Sequence, residues 1–474
     1  MAHQTETEPA ASAEITSPAQ RNSEASPAPA HEELSPPKNT GMKVLDRSLF
    51  TKIFKTLGVK VQPKCIGQFI KKADSDLFNQ PRFRNVLEIP EDKPNKLILL
   101  KMGVAEDDLS SLTPVTQELI SQFGLGFMKK ELEMPYEYWS TDDVLKSILP
   151  EHLPPPSSFT AVGHIAHLNL RDEYLPYKKI IGEVILDKAP GIKTVVNKLE
   201  KIDTTFRNFQ MEVLCGEPDF IATVKENDCR FQLDFSKVYW NSRLHTEHER
   251  IINLFNEGDV VCDVFAGVGP FALPAAKKGS QVYANDLNPA SHQFLVQNLA
   301  LNKINPPSGT PKVIAYNLDG RDFLRKAFND LIDSQTKEST NNPIRLFDHV
   351  VMNLPATALE FLDGFRGIVA NQVAQRIKKA PTVHVHCFST CLEDPLLDVL
   401  QRASQALGRE ITVAGDEASL HLVRKVAPKK DMFCLSYKLA LEDLITPKQN
   451  HPAKCSLEHG SDVSSPCKKA KLIQ

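Results

Sequence analysis

The chain has no run of about 18 apolar residues, the length a membrane-spanning helix needs, so no membrane contact is expected. Its N-terminus, MAHQTETEPAASAEITSPAQ, lacks the apolar centre of a secretory signal. Its glutamates also oppose a mitochondrial presequence, which is Arg-rich and acid-poor. Cysteine is too sparse for a disulfide scaffold: nine are scattered at positions 65, 215, 229, 262, 387, 391, 434, 455 and 467, with no Cys-x-x-Cys pair. Reduced thiols in an intracellular protein follow from this. In HVHC, His384 and His386 would share one strand face while Cys387 points to the other, so no metal is expected. An excess of either charge is missing too, since 56 Lys and Arg face 59 Asp and Glu. That balance excludes no class of partner, because the charges are unevenly spread. Residues 42–73 hold eight Lys and Arg against one Asp, and local patches rather than totals bind phosphates.

What is present has a clear order. With 474 residues the chain can form two or three domains. Residues 1–41 are rich in Pro, Ala, Ser and Glu and read as a disordered tail. Residues 444–474 read the same way and end in PCKKAKLIQ, a short basic stretch compatible with nuclear import. Three consecutive prolines in LPEHLPPPSS, residues 149–158, end one folded segment. A basic module is expected over 42–150 and a linking α+β domain over 158–240. From 241 to 443, five apolar runs alternate with helical segments, the pattern of a parallel α/β sheet. ITVAGDEASLHLVRKVAPKKDMFCLSYKLA closes it as an antiparallel pair.

The apolar runs of this last segment end in polar residues. DVVCDVFAGVGPF runs from a strand into a turn at Gly267 and Gly269, then into a helix. The third glycine of the dinucleotide fingerprint is missing, which argues against pyrophosphate binding. The next runs end at Asp286, near Asp319 in NLDGRDF, and at Asn353 in VVMNLP. Loop capping explains any one of these. Together, at the carboxyl ends of parallel strands, they favour a nucleoside cofactor without a pyrophosphate, and S-adenosylmethionine fits.

DVFAGVGPFALPAAKKG, VYANDLNPAS, NLDGRDF and VVMNLP resemble the class I S-adenosylmethionine-dependent methyltransferases. In particular they resemble the archaeal and eukaryotic tRNA (guanine-37-N1)-methyltransferases. VGHIAHLNLRDEYLPYKKIIGEVILDK, FRNFQMEVLCGE and DFSKVYWNSRLHTEHERI extend the likeness over about residues 159–440. The resemblance implies a Rossmann-like α/β catalytic domain, mostly parallel with an antiparallel last pair, behind a small α+β domain and an N-terminal module. It implies methyl transfer from S-adenosyl-L-methionine to N1 of guanosine 37, including the first step towards wybutosine in phenylalanine tRNA. The partner is then tRNA, met at the anticodon loop and, through the basic module, at the elbow, by a monomer. Cytoplasm and nucleus follow as locations, and the mitochondrial matrix by the same likeness.

Carried over residue by residue, the likeness places the acid/base carboxylate at Glu247, an arginine at Arg207 and an asparagine at Asn353. Cofactor contacts fall on His248, Asp286, Leu287, Asp319, Gly320 and Asn353. Archaeal relatives have arginine where this chain has His248. Guanine N1 is a poor nucleophile while protonated, so a base must reach its proton. Glu247 can take that proton if burial raises its carboxyl. Arg207 and Asn353 would stabilise charge spreading onto O6. Lys178, Lys179, Arg424, Lys425, Lys429 and Lys430 are candidate phosphate contacts. Two other readings stand beside this one. They are an aminocarboxypropyl transferase acting at the same nucleotide and a non-catalytic tRNA-binding protein.

Overall fold

The computed structural model describes residues 34–156, 158–202, 209–308, 310–337 and 342–445. Contacts divide these into two compact units, one holding residues 46–143 and the other residues 39–45 together with 144 onward. The segments expected separately at 158–240 and 241–443 therefore lie in one unit.

In the first unit, β1 (Lys52–Val61), α1 (Ile66–Lys72), β2 (Val86–Glu88), β3 (Lys96–Leu99), α2 (Pro114–Phe123) and β4 (Phe127–Met134) build an antiparallel sheet of order β2-β3-β1-β4. Leu57, Val59 and Val61 pack with Phe69, Ile98 and Leu119 to form its core. Asp76 is fully buried beneath them, and burial alone would raise its carboxyl. Hydrogen bonds from Lys101 (2.7 Å), Thr113 (2.6 Å) and Thr116 (2.7 Å) win and hold it far below the usual carboxylate range. Two lysines of the basic stretch are matched by acids: Lys55 with Glu131 at 3.5 Å and Lys60 with Asp92 at 3.2 Å.

The helix α3 (Thr141–Ile148) spans the division between the units. In the second unit, β5 (Thr160–Val162), β6 (Ile165–Leu168), α4 (Lys178–Lys188), β7 (Thr194–Ile202) and β8 (Phe209–Gly216) form a four-stranded sheet in that order. The strands β6 and β7 run parallel, with α4 between them in sequence. A hairpin of β9 (Ile221–Glu226) and β10 (Cys229–Asp234) follows, turning on Asn227 and Asp228 at φ +45° and +58°. Asn and Asp tolerate that left-handed geometry better than most side chains, which is why this turn falls there.

The rest alternates as the apolar runs imply: α5 (His245–Asn253), β11 (Val260–Asp263), α6 (Ala272–Lys277), β12 (Gln281–Asn285), α7 (Pro289–Leu301), β13 (Val313–Tyr316), α8 (Gly320–Thr336) and β14 (His349–Met352). Then come α9 (Asn371–Ala374), β15 (Thr382–Ser389), α10 (Pro395–Leu407), β16 (Ser419–Ala427), β17 (Lys430–Lys438) and α11 (Leu441–Ile445). The sheet order is β13-β12-β11-β14-β15-β17-β16. The first five strands are parallel, and β17 and β16 are antiparallel. Strand order reverses between β11 and β14, and such reversals open a crevice at the strands' carboxyl ends.

Register decides what shares a face. Asp263 pairs with Val351, and Val351 with His384. His386 pairs with Cys434, and Cys434 with His421. Because side chains alternate along a strand, Asp263, Asn353 and His386 all project from one face of the sheet. The opposite face carries Cys262, Val350, Met352 and Val385, packed against Phe323, Phe328 and Leu362.

Candidate active site

The turn after β11 is held by backbone. Val264 N donates to Val351 O (2.9 Å), Ala266 N to Asn285 O (2.6 Å) and Gly269 N to Ala266 O (2.8 Å). Gly267 and Gly269 both have positive φ, +56° and +102°, but they differ in surroundings. A Cβ on Gly267 would meet open space, whereas one on Gly269 would overlap Leu273 and Leu295. The open position is therefore the place for a ligand to approach, and Gly269 is required for packing. Gly269→Ala is expected to lower stability by about 1–3 kcal/mol. Gly267→Ala is expected to weaken ligand binding more than it lowers the melting temperature. Calorimetry of binding and thermal unfolding of both variants checks this contrast.

Strand ends supply the polar groups. Gly267 N donates to Asp286 Oδ2 and Asn288 N to Asp286 Oδ1, both at 2.9 Å. Asp319 caps α8 by accepting from Arg321 N at 2.9 Å. Leu287 is 47% exposed between them in sequence, an apolar side chain left on the rim. Gly320 leaves room for Phe265 and Phe361, which a Cβ there would approach to 3.0 and 3.1 Å. Asn285, fully buried, ties the ends together by donating to Val264 O and Leu318 O and accepting from Leu318 N. Asn317 adds donations to Asp286 O (2.7 Å) and Leu287 O (3.0 Å). Asn285 and Asn317, which position these strand ends, lie inside VYANDLNPAS and NLDGRDF, but the sequence alone does not single them out.

Among the described residues, three buried oxygen atoms at this rim lack a well-formed hydrogen bond: Asn353 Oδ1 and both carboxyl oxygens of Asp263, which has only a weak interaction with the Phe265 backbone. Asp263 is fully buried, and burial first, then the Asp286 carboxylate, push its carboxyl up to about 8. Burial also raises Asp286, against the backbone donors that lower it. Unpartnered buried acceptors cost stability unless a ligand satisfies them. A cationic, donor-bearing ligand is the chemistry they lack, and S-adenosylmethionine fits that need with its ammonium and sulfonium. Asp263, another residue the sequence expectations left out of the site, ends the first quoted strand and was legible as polar punctuation.

Glu247 lies in the first turn of α5 and is 3% exposed. Both its oxygens are engaged. Arg250 donates Nε to Oε2 (2.7 Å) and Nη2 to Oε1 (2.8 Å), while His386 Nε2 lies 2.7 Å from Oε1. His421 Nε2 stands 3.7 Å from Oε2. Burial would raise this carboxyl, but the hydrogen bonds of Arg250 and His386 and their charges bring it down to about 2. The expectation that burial raises Glu247 is thus overturned, because two cationic partners outweigh desolvation. Reciprocally, burial would lower His386, but the Cys434 sulfur and Glu247 raise it to about 10. Oxygen, nitrogen and sulfur atoms of Glu247, His386 and Cys434 lie within 4.8 Å of one another, as metal ligands would. Arg250 already occupies both carboxylate oxygens, and its charge opposes a metal cation there. The i,i+3 spacing of Glu247 and Arg250 on one helix was readable in sequence; His386, 139 residues away, was not.

The pieces are close to one another. His248, buried beside Glu247, hydrogen-bonds Glu226, and its ring packs edge-on against Phe271 at 4.8 Å. Phe271 follows the glycine turn and also faces the His386 ring at 6.1 Å. Continued by one residue past Met352–Val385, the register sets Asn353 alongside His386. A cavity of about 510 Å³ adjoins α5, lined among others by Glu226, Asn227, Trp240, Ser242 and His245. Among the described residues, Asn227 Nδ2 and Trp240 Nε1, buried donors of residues on its wall, have no partner. Arg207 lies outside the described residues. Lys178 is taken up by Glu212 at 2.6 Å, so it is not a free phosphate contact. Lys430 sits over the Phe388 ring at 4.2 Å, while Lys179, Lys425 and Lys429 are exposed.

Residues 222–389 match the TRM5/TYW2 methyltransferase domain, and residues 141–219 the TYW2 N-terminal domain. A tRNA (guanine(37)-N(1))-methyltransferase of Schizosaccharomyces pombe is 44% identical over 424 residues, covering 84% of this chain and 94% of the relative. The chain belongs to the TRM5/TYW2 methyltransferase family. The enzyme of the same name from Phytophthora infestans is 46% identical, with 84% of this chain and 92% of the relative covered. Among solved TRM5/TYW2 structures, the wild-type Trm5b of Pyrococcus abyssi superposes with a TM-score of 0.54 at 26% identity, over 81% of this chain and 99% of that one. A complex of aTrm5 with tRNA-Leu shares the fold, with a TM-score of 0.57 at 21% identity, over 81% of this chain and all of that one. The sheet is accordingly the class I methyltransferase sheet that the motifs imply.

Proposed function

We infer that this protein transfers a methyl group from S-adenosyl-L-methionine to N1 of guanosine 37 in tRNA. The observation that carries the reading is the single sheet face bearing Asp263, Asn353 and the His386–Glu247 pair. Unpartnered acceptors and an ionised carboxylate stand there together, at the point where strand order reverses. When bound, S-adenosylmethionine supplies an activated methyl on a positively charged sulfur. Asp286, Leu287, Asp319 and Gly320 would hold its nucleoside, with Gly267 giving backbone access. Asp263, Asn353 and His248 would meet its cationic end.

Glu247 is the proton acceptor in this reading. Arg250 and His386 fix its orientation and keep it ionised at neutral pH. Asn353 Oδ1 would accept from an N–H of cofactor or base, and Arg207 would meet O6. The target base would meet the sheet face at Glu247 and Asn353, since neither residue lines the cavity beside α5. A base stacked in the anticodon loop must be extruded to reach that face. The N-terminal unit would engage the elbow through its basic segment up to residue 73, and exposed Lys179, Lys425 and Lys429 would engage the loop backbone. Incubation with methyl-labelled cofactor tests the reading. Label should enter an unmodified transcript with guanine at nucleotide 37 and not one with adenine there; equal labelling of both refutes it.

Cofactor binding should also displace a proton. A cation beside Asp263 favours its ionised form, so the group protonated below about pH 8 in the free protein must lose its proton. Affinity is therefore expected to rise with pH and level off near pH 8. Calorimetry at pH 7 in buffers of different ionisation heat should report release of a proton, and release of none would contradict this role for Asp263.

A further inference from the structure

A proton accepted by Glu247 cannot stay there. Its carboxyl is held at about 2 by Arg250 and His386, so at neutral pH the proton must move on before another turnover. The neighbours differ in what they can take. The Arg250 guanidinium and the His386 imidazolium are already charged, and His386 is fully buried. Cys434, on the strand between β15 and β16, is buried and pairs in register with both His386 and His421. His384 is 2% exposed, and its ring is occupied by Ser436 (2.8 Å) and His349 (3.0 Å).

His421 is different. It sits on β16, the edge strand of the sheet, its side chain 48% exposed, and its Nε2 is 3.7 Å from Glu247 Oε2. That oxygen is the less occupied of the two, holding one hydrogen bond, to Arg250 Nε, where Oε1 holds two. The structure thus assigns Oε1 to anchoring and leaves Oε2 towards the open side.

We propose that His421 is the proton outlet of the reaction, taking the proton from Glu247 Oε2 on its Nε2 and delivering it to solvent. The proposal rests on the reading of Glu247 as proton acceptor. In balance, N1 gives its proton to Oε2 and its electron pair to the new bond with the methyl carbon. The carbon–sulfur bond breaks with its pair going to sulfur. The proton then crosses from Oε2 to Nε2, and the ring sheds a proton to water and returns to neutrality. Burial, Arg250 and His386 all lower the His421 pKa below its ordinary 6.5, against Glu247, which raises it. The ring is therefore neutral and able to accept at pH 7 and above. Contacts between catalytic groups are often long before substrate arrives, so 3.7 Å is compatible with this role.

The test is multiple-turnover methyl transfer by full-length His421→Ala between pH 5 and 9, with and without imidazole, beside His421→Gln and Glu247→Gln. His421→Ala should lose about a hundredfold in rate with cofactor affinity retained. The acid limb that His421 protonation gives the natural protein should vanish, and imidazole should restore the rate in proportion to its neutral form. His421→Gln, which keeps the side-chain bulk, should show the same loss. Wild-type rates in either variant, or a loss that imidazole does not restore, overturn the outlet. If Glu247→Gln transfers at the natural rate, the underlying reading falls. If it is inactive while His421→Ala is unaffected, only the outlet falls.

Discussion

Glu247→Gln should lower single-turnover methyl transfer by about 10²–10⁴-fold while leaving cofactor affinity within about twofold. Glutamine is nearly isosteric and can still accept a bond from Arg250, but it cannot take a proton at neutral pH. Of the cofactor groups, Asp263, Asp286 and Asn353 lie on β11, the turn after β12 and the end of β14, while His248, next to Glu247 on α5, is held by its own bond to Glu226. Loss of binding along with turnover would make Glu247 a structural residue instead.

The same substitution has a stability signature with a defined pH window. The folded Glu247 carboxyl is depressed from 4.5 to about 2, so its contribution is full above about 4.5 and lost as pH falls towards 2. His386 is raised from 6.5 to about 10, so its contribution is full below about 6.5 and lost as pH rises towards 10. These describe one interaction seen from two sides. Denaturant titrations should show the natural protein exceeding Glu247→Gln most between about pH 4.5 and 6.5. Breaking a buried pair costs about 3–5 kcal/mol, and less is expected here because Arg250 is partly exposed and His386 can release its proton.

Asn353→Ala is expected to reduce methyl transfer by about a hundredfold, because a cofactor or base held through its Oδ1 is then misplaced, without lowering the melting temperature. Its Oδ1 is buried and accepts from nothing in the protein, so its removal discards an unmet acceptor rather than a contact. An equal or slightly higher melting temperature alongside a slow reaction is the mark of a group kept for a ligand. A fall in melting temperature with a near-natural rate would make Asn353 only the end of a strand.

The strand ends were legible because each is a local event: an apolar run stopped by Asp263, Asn285-Asp286 or Asn353 declares itself within ten residues. The closing antiparallel pair and the turn at Asn227-Asp228 were legible for the same reason. What surrounds Glu247 was not, because Arg250, His386 and His421 come from α5, β15 and β16 and meet only through sheet register. HTEHER alone reads as a solvated helix face, so both the burial of Glu247 and the direction of its pKa followed from partners distant in sequence. Lys178 illustrates the same gap, since Glu212, 34 residues on, claims it.

Product identity tests the central claim most directly. Nucleoside mass spectrometry of a guanosine-37 tRNA transcript, after incubation with the protein and S-adenosylmethionine, should show guanosine heavier by one methyl, carried on N1. An aminocarboxypropyl group on that nucleotide, a methyl on another atom, or an unchanged guanosine would contradict it.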